Sequence, residues 1–267
     1  MSEAELTEAE LNEAAAFAGR LADEAGAVAL RYYRQPVTVE TKADASPVTR
    51  ADREAERAMR TLIESEYPSD GIVGEEHGRE RDGASRQWVL DPIDGTRSFV
   101  TGVPLFGTLI ALAVDGVPLV GVIDQPVTRD RWVGVAGAPT TLNGAPVRTR
   151  ACPAIAAATV STTGEEFLEG PGELEAFSRV RAAAGAFRRV PDCYGYAMLA
   201  SGFVDLVVEA GLKSWDLAAL RPVIEGAGGV VTDWNGKPLD LGSDGRIAAA
   251  GDAACHAQAL DTLDWRG

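Results

Sequence analysis

Histidine and cysteine are scarce in this chain: there are two of the first and three of the second among 267 residues. Cys152, Cys193 and Cys255 lie far apart, are odd in number and form no CxxC pair. A reduced compartment with buried or idle thiols is the simplest account. Long apolar runs are missing as well. An uncharged stretch near the middle, Thr101 to Val114, is too short to cross a bilayer and is broken by Gly102, Pro104 and Gly107. The N-terminus has no basic region followed by an apolar one; Glu3, Glu5, Glu8 and Glu10 make it acidic, so no signal peptide is expected and a cytoplasmic location follows by default. Positive charge is in deficit, with 25 Lys and Arg against 40 Asp and Glu, a net charge of −15 and a pI near 4.6. Such a chain repels the phosphates of a nucleic acid, which argues against a nucleic-acid partner.

What is present suits a globular protein with a sizeable core, since 46% of residues are hydrophobic and 24% charged. The chain reads as one unit of residues 1–267. Its approximate halves are 1–150 and 151–267, joined by a tight connection between Arg148 and Ala156. Thr7 and Glu10 have capping-box spacing, and Leu11, Ala14, Ala15, Ala18 and Leu21 recur at helical spacing. That helix is expected to end at Tyr32, Tyr33 and Gln35-Pro36. A second is expected after Thr49, with Asp52 in its first turn and Ala55, Ala58, Met59, Leu62 and Ile63 buried. Strands are expected at 71–74, 87–90, 106–114, 117–124 and 131–135, with a hairpin turn at Asp115-Gly116. In the second half the spacing predicts strands at 156–161, 203–209 and 230–232, and helices at 173–184, 194–201 and 215–226. This alternation implies layered α and β structure.

Three short stretches carry chemistry. In Trp88-Val89-Leu90-Asp91-Pro92-Ile93-Asp94-Gly95-Thr96 an apolar strand runs out into two carboxylates three residues apart. Pro92 restricts the backbone and Gly95 lets a phosphate approach the main chain. If Thr96 opens a helical turn, its N–H groups suit a phosphate oxygen. In Gly71-Ile72-Val73-Gly74-Glu75-Glu76 another apolar strand ends in two acids. In Ser214-Trp215-Asp216-Leu217-Ala218-Ala219 an acid stands at a helix start, where it also favours the helix dipole. Each alone reads equally as an acidic turn or cap. Were the three stretches to meet, their five carboxylates would repel one another strongly, and the set would make sense with cations between them.

In this order, and with Lys42, Pro47-Val48-Thr49-Arg50-Ala51-Asp52, Leu142-Asn143-Gly144 and Glu225-Gly226-Ala227-Gly228-Gly229, the sequence closely resembles the inositol monophosphatase family of magnesium-dependent phosphatases. The resemblance implies an α+β fold, an α/β/α/β/α sandwich like that of the fructose bisphosphatases, with the site between its halves. It also implies a homodimer, and two or three Mg2+ ions per site. Glu75, Asp91 and the carbonyl of Ile93 would hold the first ion. Asp91, Asp94 and Asp216 would hold the second, with Glu75 and Glu76 near a third. Gly95 and Thr96 would bind phosphate. Asp52, Thr96 and Glu75 would be catalytic, the Thr96–Asp52 pair polarising the attacking water. Lys42 and Asp44 would belong to a loop that closes over the site.

Rival phosphatase chemistries find little support. His77 and His256 supply a phosphohistidine route poorly, no cysteine sits in a phosphate-cradling loop, and an aspartyl-phosphate enzyme spaces its acids two apart. The Gly226–Gly229 run follows a helix and precedes a strand, the wrong context for a dinucleotide loop.

Arg97 to Leu112 and Pro191-Asp192-Cys193-Tyr194-Gly195-Tyr196 resemble the histidinol-phosphate phosphatase branch more than the inositol branch. Histidinol phosphate is therefore the expected substrate, touching Asp94, Asp192, Tyr194, Glu209 and Asp216, with Asp192 and Glu209 available to its ammonium and imidazole. Asp192 reads equally as a helix cap. The alternatives are an inositol-1-monophosphatase or broad sugar phosphatase and, more distantly, an inactive regulatory binding protein.

Overall fold

The computed structural model describes residues 6–36, 38–41 and 47–266. Lys42 and Asp44 lie outside the described residues. Helix α1 (Glu8–Tyr32) begins at the expected capping box, Thr7 and Glu10. Strands β1 (Val39–Thr41) and β2 (Pro47–Thr49) pair antiparallel and lead into α2 (Arg50–Glu66). A first sheet contains β3 (Gly71–Gly74), β4 (Gly78–Glu80), β5 (Arg86–Asp94), β6 (Gly107–Val114), β7 (Val117–Gln125), β8 (Asp130–Val135), β9 (Thr141–Leu142) and β10 (Ala145–Pro146). Its order is β10-β9-β8-β7-β6-β5-β3-β4. The short helix α3 (Thr96–Val100) follows β5. Asp115 and Gly116, both at positive φ, turn β6 into β7 as expected.

A second sheet contains β11 (Thr159–Thr162), β12 (Ala186–Arg189), β13 (Leu206–Glu209), β14 (Val230–Thr232) and β15 (Ile247–Ala250), in the order β12-β11-β13-β15-β14. Around it lie α4 (Glu173–Ala183), α5 (Cys193–Ala200), α6 (Ser214–Leu217), α7 (Leu220–Gly226) and α8 (Ala253–Leu263).

Three cores bind these elements into five layers. Helices α1 and α2 bury Phe17, Leu21, Met59 and Ile63 against Ile72, Trp88, Leu90, Ile110 and Val122 on one face of the first sheet. The opposite face, with Val89, Leu109 and Ile123, packs through α5, α6 and α7 onto Val207, Val231 and Ala249 of the second sheet. The far side of that sheet, with Val160, Leu206 and Val208, is covered by α4 and α8. This is the expected α/β/α/β/α arrangement. Among the described residues no helix is long and apolar enough to cross a membrane. All three cysteines are buried and unpaired.

Some elements depart from the expectation. Residues 215–226 divide into α6 and α7, because Pro222 has no N–H to donate to the carbonyl of Ala218, although Ala218 and Ala219 keep right-handed helical dihedrals. The strand expected from 156 begins at Thr159, after a 3-10 turn at Ile155–Ala157. The one expected from Phe203 begins at Leu206, leaving the Phe203 ring exposed.

Candidate active site

Strand periodicity aims the first carboxylates. Trp88 and Leu90 face α1 and α2, so Val89 and Asp91 face the middle layer. Strand β3 runs parallel to β5 with Gly74 opposite Leu90, and Glu75 continues that ladder, its N–H donating to the Leu90 carbonyl at 3.2 Å. Glu75 therefore arrives beside Asp91, and both line one cavity. An unbroken strand would point Asp94, three residues on, to the opposite face. It does not, because the ladder with β6 pairs Asp91 with Leu109 and Asp94 with Gly107, an irregularity that places one extra residue on β5. The bulge returns Asp94 to the side of Asp91.

Asp216 enters from α6. Carboxylate oxygens of Asp91, Asp94 and Asp216 lie within 4.8 Å of one another. Each aspartate also accepts a backbone N–H: Ile93 to Asp91 Oδ1 at 3.0 Å, Cys193 to Asp94 Oδ2 at 2.6 Å, and Lys213 to Asp216 Oδ2 at 2.6 Å. The side chains are thus oriented by main chain from three elements. Burial, then the charges of Glu75 and Asp94, drives the Asp91 carboxyl well above the ordinary range. Burial, then Asp192 and Asp216, does the same to Asp94. Asp216 is pushed up to about 7, chiefly by burial and despite the bond from Lys213.

The Gly95–Thr96 turn stands beside this cluster. Gly95 adopts φ 82°, a conformation open to glycine, and Thr96 opens α3 as expected. The Thr96 hydroxyl is 3.2 Å from both Asp52 Oδ1 and the Ile93 carbonyl, either of which can accept its proton. Asp52 is fully buried in the first turn of α2. Its Oδ2 accepts from the Thr49 N–H at 2.8 Å and the Thr49 hydroxyl at 2.6 Å. Burial raises its pKa, while those two bonds oppose the shift.

A cavity of about 270 Å³ joins these groups to the second half of the chain. Glu209 shares the inward face of β13 with Val207, and its oxygens accept from the Thr163 N–H at 2.5 Å and the Tyr196 hydroxyl at 2.8 Å. Asp192 precedes α5 but does not cap it with its side chain, so the cap reading is corrected. Its Oδ2 instead accepts from the Ser98 hydroxyl at 2.9 Å, and it would sit 2.4 Å from a Cβ placed on Gly95. Asp192 has φ 56° and ψ −153°, a conformation that strains a residue bearing a Cβ. Tyr194 does not line this cavity; it is partly buried, and its ring packs edge-on against Trp132. Tyr196, two residues on, holds Glu209 instead, and no sequence spacing distinguished the two. Ser98 on the five-residue helix α3, and Thr163 and Phe167 in the segment after β11, were also missed, since stretches this short show no periodic signal.

The donor set of the cluster is all oxygen, acidic and crowded, which fits a hard divalent cation and leaves its charge unbalanced without one. A cavity with that floor and a glycine-led helical turn at its rim suits phosphate esters, and the layered fold around it is that of the metal-dependent phosphatases. The family model described as "Inositol monophosphatase family" matches residues 10–264, and the chain belongs to that family. It is 47% identical to the bifunctional phosphatase IMPL2, chloroplastic, of Arabidopsis thaliana, over 99% of this chain and 79% of that one. It is 39% identical to a histidinol-phosphatase of Chlorobaculum parvum, over 86% and 89%. An inositol monophosphatase structure from Zymomonas mobilis is similar with a TM-score of 0.87 at 46% identity, covering 95% and 98%. The protein is a phosphatase, as its motifs implied.

Proposed function

We propose that the protein hydrolyses histidinol phosphate in a Mg2+-dependent reaction. The observation that carries this reading is the pair of acids outside the metal cluster. Asp192 and Glu209 line the same cavity as the Asp94–Gly95–Thr96 turn. Histidinol phosphate carries an ammonium and an imidazole a short distance from its phosphate, and buried carboxylates attract such groups strongly. Burial raises both carboxyls, Asp192 and Glu209, so an incoming cation is what stabilises their charged forms. The relative named histidinol-phosphatase supports the same substrate.

In this reading Asp91, Asp94 and Asp216, with Glu75 and the Ile93 carbonyl, hold two or three Mg2+ ions. Bound there, the ions supply charge that neutralises phosphate oxygens and acidifies water. Asp52 holds the proton of the Thr96 hydroxyl, whose oxygen is then an acceptor that orients the attacking water. Backbone N–H groups of Gly95 and Thr96 bind the phosphate, and Asp192 and Glu209 fix the amine end. An inositol phosphate is the second reading, favoured by the likeness to the Zymomonas mobilis inositol monophosphatase.

Phosphate release from histidinol phosphate, inositol 1-phosphate and fructose 1,6-bisphosphate under the same Mg2+ conditions decides between them. A kcat/KM for histidinol phosphate at least about a hundredfold above the others is expected, equivalent to nearly 3 kcal/mol. Comparable values would reject the assignment. Asp192→Asn is expected to raise KM for histidinol phosphate roughly tenfold or more, by the loss of a charge-assisted bond, and to leave inositol 1-phosphate almost unaffected.

A further inference from the structure

Helix α2 carries two buried stripes side by side. Ala55, Met59 and Ile63 enter the core beneath α1. Asp52, Glu56 and Arg60 are also buried but charged. Four-residue spacing puts these three in line along the helix. Asp52 serves Thr96 at one end of the line. Further along, Glu56 grips the turn after β3: its Oε2 accepts from the Glu76 N–H at 2.7 Å and its Oε1 from the His77 N–H at 3.1 Å. Arg60 Nε donates to Glu56 Oε1 at 2.7 Å, and Nη2 donates to the Gly78 carbonyl at 2.5 Å. Gly74 makes room for this grip, since a Cβ there would stand 2.1 Å from Glu56 Oε1.

Buried ion pairs are weak contributors to stability, and apolar residues of equal volume often serve a core better. This pair sits where rigidity has another use. Glu75 is held on the sheet side by its bond to Leu90, and the next residues are held on the helix side by Glu56 and Arg60. We propose that Glu56 and Arg60 are positioning residues for the metal centre: they clamp the 75–78 turn so that the Glu75 carboxylate is presented to a cation shared with Asp91. The inference rests on the reading of Glu75 as a cation ligand. It makes α2 a bracket that aligns the Asp52–Thr96 pair and the cation site together.

The test is the Mg2+ concentration dependence of the melting temperature of the whole protein without substrate, beside the Mg2+ dependence of its turnover. Glu56→Gln is expected to raise the half-saturating Mg2+ at least about tenfold, as the loss of a residue supporting a metal ligand does. Turnover at saturating Mg2+ should stay within a few-fold of the parent. Arg60→Lys, which keeps the charge but loses the fork, should shift the same way and carries the test if Glu56→Gln does not fold. Glu75→Gln should weaken Mg2+ at least as much, and adding Glu56→Gln to it should cause no further loss. Lower melting temperatures with unchanged half-saturating Mg2+ in the Glu56 and Arg60 variants would overturn the positioning role and leave Glu75 as a ligand. An unchanged value in Glu75→Gln would overturn the ligand reading itself, and the positioning role with it.

Discussion

Asp216 shows what burial does to a single carboxylate. Its folded pKa, pushed up to about 7, lies above the ordinary value for an unfolded aspartate, so folding favours its protonated form. The stability linked to that proton is complete below about pH 4 and is lost as the pH rises through about 7. Asp91 and Asp94 shift in the same direction. In EDTA, the melting temperature should therefore fall between pH 5 and pH 8. Under the proposed Mg2+ dependence, saturating Mg2+ should abolish that fall, because a cation held by these aspartates would bind the deprotonated set. Calorimetry across this range with and without Mg2+ checks both arms; a metal-free melting temperature that rises with pH would contradict the assignment. Asp94→Asn should lower turnover at least about a thousandfold, in keeping with several kcal/mol of lost charge stabilisation. At pH 8 without metal the same variant should be more stable than its parent, since one of three crowded charges is gone. Tyr196→Phe removes one donor from buried Glu209 and should cost about 1 kcal/mol of stability, read by denaturant unfolding.

Elements differ in how openly they declare themselves. The capping box of α1, the apolar stripe of α2 and the hairpin at Asp115-Gly116 were legible because their signals lie within a few residues. The irregular ladder of β5 was not: nothing in Asp91-Pro92-Ile93-Asp94 states that β6 will pair out of step there. Strand β15 and helix α8 went unread, because Ile247–Ala250 is buried on both faces and shows no alternation. The Glu56–Arg60 pair had a weak signal, charges at four-residue spacing after Asp52 on a helix whose neighbouring stripe is apolar. The start of α2 joins structure to site, since Thr49 caps the helix and also bonds Asp52. Thr49→Ala should cost about 1 kcal/mol of stability as a lost cap. It should also slow turnover while leaving KM nearly unchanged, because Asp52 loses its fixed geometry. Kinetics at saturating Mg2+ separate the two effects.

At the scale of the whole molecule, the site depends on how closely the middle layer sits on the first sheet. Gly121 of β7 and Gly134 of β8 make this possible. A Cβ on Gly121 would lie 2.2 Å from the Ala219 carbonyl oxygen, and one on Gly134 2.4 Å from the backbone of Pro222. These contacts seat α6 and α7, and with them Asp216, against the strands that carry Asp91 and Asp94. Gly121→Ala should destabilise the fold by roughly 1–3 kcal/mol through overpacking. It should also weaken Mg2+ binding by displacing Asp216, which the Mg2+ dependence of the melting temperature reads directly.

By itself the sequence determined the family and the phosphatase chemistry, because three short acidic stretches, each ambiguous alone, stand in an order that resembles one family. The layered architecture followed from the same resemblance. Only the tertiary structure decided which carboxylates meet, which tyrosine faces Glu209 and what grips the 75–78 turn. Those outcomes depend on a bulge, on the seating of α6 against glycines of the sheet, and on hydrogen bonds between distant segments. Such contacts form through packing between elements, and no short stretch of chain encodes them.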